Sequence, residues 1–145
     1  MRKLAVAMLL MAGLLMAGCG SNSKSGNVSG TWTATLTDTN QNQAFNFTVQ
    51  LVDNGNGTVN VTNLSFSTNS SCFVSGETAT GTFGLTGNLN GNVQGTFGMT
   101  ITSGNPSGNV LTLTGTVNGA TITGHWSLTG SVDCTGSGNF TMTRM

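Results

Sequence analysis

The sequence predicts an all-β domain, and three observations carry that expectation. From Gly30 onward, apolar residues recur at every second position. The positions between them are largely Thr, which favours strands. The breaks are Asn-Gly and other Gly-rich runs, which supply the positive φ angles of tight β-turns. No stretch carries a 3.6-residue apolar stripe, and 22 glycines in 145 residues would not sustain helices.

Eight strands follow in order. Trp32, Ala34 and Leu36 alternate with Thr33, Thr35 and Thr37 in the first, and Phe45, Phe47, Val49 and Leu51 mark the second. In the third, Val59 and Val61 share one parity while Leu64 and Phe66 share the other, which predicts a bulge near Asn63. Phe83 and Leu85 mark the fourth strand, and Val93, Phe97, Met99 and Ile101 the fifth. Leu111, Leu113 and Val117 give the sixth, Ile122, Trp126 and Leu128 the seventh, Phe140 and Met142 the eighth. Turns are expected at 53–57, 88–91 and 118–119, and Pro106 sits in a loop. Short consecutive hairpins argue for an eight-stranded antiparallel up-and-down meander closed into a small barrel, which removes exposed edges. A two-sheet β-sandwich is the alternative.

A glycine stands two residues before an aromatic five times: Gly30-Thr-Trp32, Gly81-Thr-Phe83, Gly95-Thr-Phe97, Gly124-His-Trp126 and Gly138-Asn-Phe140. Both residues of each pair face one side of a strand, so the glycine lets the strand bend and offers a ring a flat surface to cover. A meander that opens on Gly30-Thr-Trp32 resembles, in pattern only, the avidin and lipocalin class of small barrels. The avidins' biotin site relies on several tryptophans and a tyrosine. This chain has two Trp and no Tyr, so the resemblance transfers no biotin-binding residue.

The first nineteen residues form a targeting segment. Arg2 and Lys3 precede an apolar run from Leu4 to Leu15, too short for a membrane span. Met16-Ala17-Gly18-Cys19 resembles the lipobox of bacterial lipoproteins. That resemblance implies cleavage after Gly18, diacylglycerol on the Cys19 sulfur and acylation of the new amino terminus. Gly20 stands where an inner-membrane retention signal would place Asp, so it implies the outer membrane. The expected organisation is a signal peptide at 1–18, a lipidated flexible tether at 19–29 and one barrel domain at 30–145.

After residue 18, the charged side chains are Lys24, Arg144, Asp38, Asp53, Glu77 and Asp133. So few charges exclude a nucleic-acid binder, which needs a basic patch to neutralise phosphates. They exclude a polybasic membrane-surface module as well. With Cys19 lipidated, Cys72 and Cys134 are expected to pair as a disulfide in an oxidising compartment. A metal site is the weaker reading, since only His125 and scattered carboxylates would join the thiols. The two cysteine loops lie on opposite sides of the expected barrel. Eight strands ~4.8 Å apart and tilted ~40° give a diameter of roughly 16 Å. A disulfide needs Cα atoms within about 7 Å. One loop must therefore cross the mouth, and Ser67–Ser71 is the flexible run placed to do so.

Little else points to chemistry. His125, between Gly124 and Trp126, should project outward, with no Ser or carboxylate placed by sequence to complete a triad. Asp53, Asn54 and Asn56 fit a hairpin turn better than a calcium loop, which needs later acidic ligands. The expected interior is filled by Trp32, Phe45, Phe47, Phe66, Phe83, Phe97, Trp126 and Phe140. The functional expectation is a non-enzymatic, lipid-anchored envelope protein without cofactor or metal. It would bind a small apolar ligand or an envelope partner through its distal loops, or serve a purely structural role with a filled barrel.

Overall fold

A computed structural model describes residues 27–67, 70–89 and 92–145. Eight strands run in sequence: β1 (Gly30–Asp38), β2 (Gln43–Asp53), β3 (Thr58–Phe66), β4 (Thr78–Leu89), β5 (Asn92–Thr102), β6 (Val110–Asn118), β7 (Thr121–Thr129) and β8 (Gly136–Arg144). Each pairs antiparallel with the next, and β1 returns to β8 from Trp32↔Arg144 to Asp38↔Gly138. The sheet is a closed barrel in up-and-down order, which rules out the sandwich.

The period-two pattern produces this directly. Trp32, Ala34 and Leu36 are buried, while Thr31, Thr33 and Thr35 face solvent. The same division continues through Leu111 and Leu113 on β6 and Phe140 and Met142 on β8. The outer face is a threonine surface: Thr96, Thr116, Thr123, Thr141 and Thr35 lie side by side on successive strands. An apolar inside with a polar outside is the reverse of a membrane-spanning barrel, whose outer band is apolar.

The expected phase slip falls where the sequence places it. Asn63 has φ 52°, and the β2–β3 register shifts between Thr48 and Gln50. Of the five glycines set before an aromatic, Gly95 lies under a ring as expected. A Cβ on Gly95 would collide with the Phe83 ring, so the ring covers bare backbone. Phe140 lies over Gly115 in the same way. Of the expected interior aromatics, all but Phe66 are buried, and half-buried Phe66 packs against the core.

The domain starts earlier than residue 30. Val28 is completely buried, its carbonyl accepts the Trp32 indole N–H at 2.8 Å, and Ser29 Oγ accepts the Asp53 amide. Asn27–Ser29, assigned above to the tether, is therefore the first piece of the domain. Cys19 and the rest of the tether lie outside the described residues.

Candidate functional site: the strapped distal end

In a meander, alternate connections gather at opposite ends. One end, the proximal, holds Asn27–Ser29, Arg144 and the tight turns. There the turn after β2 closes on itself: Asp53 Oδ1 accepts the Gly55 amide and Asn56 Oδ1 the Thr58 amide. Its carboxylate and amides are occupied by the turn, which is how a hairpin uses them.

The distal end carries the longer loops. Cys72 and Cys134 form the expected disulfide, with Cα atoms 5.6 Å apart. Cys72, on the β3–β4 loop, thus meets the β7–β8 loop, as the barrel diameter requires; Thr68 and Asn69 of the Ser67–Ser71 run lie outside the described residues. On the same loop Phe73 turns inward and is buried. Its ring stacks on Phe66 at 4.6 Å between centroids and meets Phe45 edge-on at 6.0 Å. Phe45 in turn meets Trp126 edge-on at 5.7 Å. The mouth is thus stoppered by a ring carried on the strap. Such pairs contribute about 0.5–1.5 kcal/mol each beyond area burial.

A second fastening is polar. Asn109, 1 % exposed, donates from Nδ2 to the Cys72 carbonyl at 2.9 Å. Its Oδ1 accepts the Ser131 amide at 3.1 Å, and its own amide donates to Ser103 Oγ. One side chain therefore ties the β3–β4, β5–β6 and β7–β8 loops together. The chain accommodates it closely, because a Cβ on Gly130 would collide with the Asn109 side chain. The strap gains an edge from the same region: Val74 N–H donates to the Asn105 carbonyl, and Asn105 N–H to that of Ser75. Sequence reasoning missed both Phe73 and Asn109. Phe73 lies outside any alternating run, and Asn109 stands among many turn asparagines, where nothing separates it by composition.

This platform holds two apolar side chains in solvent. Val132 is 93 % exposed and Val74 62 %. Each lies two residues from a bridged cysteine, so the disulfide holds their loops together. The remaining sequence candidates stay apart. His125 is exposed on the outer wall, in a cleft of about 480 Å³ shared with Thr39, Trp126, Ser137 and Asn139. Ser137 shares the cleft with His125, but no carboxylate lines it to complete a triad. Among the described residues, no three His, Cys, Asp or Glu side chains are grouped to hold a metal ion. Asp38 accepts the Asn42 and Asn40 amides at 2.8 Å in the β1–β2 turn, and these bonds hold its carboxyl below the usual carboxylate range.

Comparison with protein-family models, with characterised proteins and with solved structures finds no match to this chain.

Proposed function

We propose that this chain is a lipid-anchored protein of the bacterial outer membrane, without enzymatic activity, that engages another envelope component through its distal end. One observation carries the reading: Val74 and Val132 are exposed on a platform fastened by a disulfide and by Asn109, at the end opposite to where the chain enters the barrel. Exposed β-branched residues on a rigid support suit recognition, because little side-chain or loop entropy is lost on contact. The lipobox-like Met16–Cys19 would put the membrane at the proximal end. A threonine exterior suits a domain held beside a bilayer, not within it.

A partner is favoured over an interior apolar ligand. Trp32, Phe47, Leu36 and Leu51 are fully buried along the interior, and Val28 and Phe73 close its ends. Eight strands leave an interior that side chains alone can fill. The same filled interior favours the second reading, a purely structural lipoprotein. Two measurements test the proposal. A fatty-acid label should mark the full chain and vanish in Cys19→Ala; a label that persists removes the anchor. A photo-crosslinking residue at Val132 should form adducts in cells, and one at Asn56 in the proximal turn should not. Silence at both positions decides for the structural role.

A further inference from the structure

The β3–β4 seam is the short one. Among the described residues, only the ladder pairs Thr58↔Thr82 and Val59↔Gly81 join these strands, whereas β6 and β7 pair from Val110↔Thr129 to Asn118↔Thr121. Continued in register, the next positions would be Asn60 with Thr80 and Val61 with Ala79. Among the described residues, no ladder pair joins Asn60–Phe66 to β4. The barrel therefore closes with two short strand edges facing each other across an opening.

The direction of the main chain there is fixed. Phe83 N–H donates to the Gly57 carbonyl at 3.0 Å. Strand residues send their N–H and C=O groups to alternate sides. Gly81 and Ala79 thus aim theirs at β3, while Thr80 and Thr82 aim theirs at β5. By the same alternation, Val59 and Val61 aim theirs at β4. The Gly81 and Val59 groups meet in a ladder pair, and the ladder stops before Ala79 and Val61. Between them lies a groove of about 430 Å³, with Val61, Ala79 and Gly81 at its floor and Asn60, Thr62 and Thr80 along its rims. Every residue lining it is uncharged.

We propose that this opening is a strand-acceptor site, which takes an extended, uncharged polypeptide segment of a partner protein. The main-chain groups of Val61 and Ala79 call for an occupant that presents alternating donors and acceptors, which is what an extended peptide offers. The neutral lining selects against charged side chains, since a charge placed there would lose water without a counter-ion. The small floor, Gly81 and Ala79, admits only small inward-pointing residues. The site lies on the flank of the barrel and does not depend on the distal recognition proposed above.

The test uses the full-length chain in detergent and a fluorescein-labelled, amidated hexapeptide, Thr-Ala-Thr-Ala-Thr-Ala, read by anisotropy. Saturable binding is expected, weakened at least tenfold when alternate amides of the peptide are N-methylated. Ala79→Pro removes an N–H that faces the groove, not the β5 ladder, so its melting temperature should stay close to wild type. Its peptide affinity should fall at least tenfold. Thr80→Pro removes an N–H bonded toward β5 and should destabilise the barrel strongly. Equal binding of parent and N-methylated peptide, or no saturable binding, overturns the proposal. So does a wild-type dimer in sedimentation that Ala79→Pro converts to monomer, because a second copy then fills the seam. If Ala79→Pro does not fold, the N-methyl comparison on wild type decides alone.

Discussion

The two ends of the barrel are closed by different means. At the proximal end the closure is local: Val28 plugs the opening, four residues before the Trp32 that binds its carbonyl. Arg144, the last residue of β8, lies over the Trp32 ring at 5.0 Å and donates to the Asn27 carbonyl. At the distal end the closure is long-range. Phe73 is carried beside Cys72, which is bonded to Cys134, 62 residues away, and whose carbonyl Asn109 holds. A local cap forms with the strand it belongs to. A long-range cap costs loop-closure entropy and needs a covalent or buried polar fastening to stay shut.

The largest expected effect breaks that fastening. Cys72→Ser with Cys134→Ser should lower stability by about 4 kcal/mol, the chain-entropy value for a loop of this length. The molecule carries a reporter at each end, Trp126 beside the strap and Trp32 beside Val28. In single-tryptophan variants, reductant should red-shift Trp126 emission and leave that of Trp32 unchanged at temperatures where the barrel stays folded. Equal shifts in both would mean that the ends are not independent.

Asn109→Ala should follow at about 2 kcal/mol, because it leaves the buried Cys72 carbonyl without its partner and frees the part-buried Ser131 amide. Denaturant unfolding measures it. Combined with the cysteine variant, the loss should be less than additive, since both changes release one strap. Full additivity would separate the polar fastening from the disulfide.

How far these features can be read from the sequence follows from their range. Alternation at Trp32, Ala34 and Leu36 reports a strand because the pattern and the structure share one short segment. The Asn63 bulge was legible for the same reason, as a parity change within nine residues. The disulfide was legible from the cysteine count and the export that the first nineteen residues lead one to expect, and the strap from barrel diameter. Phe73 and Asn109 were not, because what holds them comes from separate segments of the chain: Phe45 and Phe66 around Phe73, Cys72 and Ser131 around Asn109. Nor did any pattern announce the open β3–β4 seam. Val61 and Ala79 alternate normally, and the missing ladder is a property of two strands together. Val28 escaped too, as one apolar residue in a polar run with no neighbour to set a period.

On the local side, Val28→Ala should cost about 2 kcal/mol by leaving the proximal opening underfilled. Here Trp32 emission should shift and that of Trp126 should not, the mirror image of the reduction experiment. The Trp32 hydrogen bond is to the Val28 main chain, so the substitution removes packing and keeps the bond. A shift at Trp126 as well would show that the two caps communicate through the core.

The smallest effect concerns a distal element that closes itself. Asp38 accepts two backbone amides from its own turn, which lowers its folded pKa while the unfolded value stays ordinary. A depressed carboxylate contributes stability that is full above the unfolded pKa and lost as pH falls through the folded one. Acidification below the usual carboxylate range should therefore loosen the β1–β2 turn, first seen as faster amide exchange at Asn40 and Asn42. Because the carboxylate is exposed, solvent screening keeps the effect small. Asp38→Asn should remove the pH dependence at these two amides without touching Cys72, Phe73 or Asn109. If exchange in that variant still responds to acid, the response arises in another carboxylate, and the distal end is less divisible than its hydrogen bonds make it.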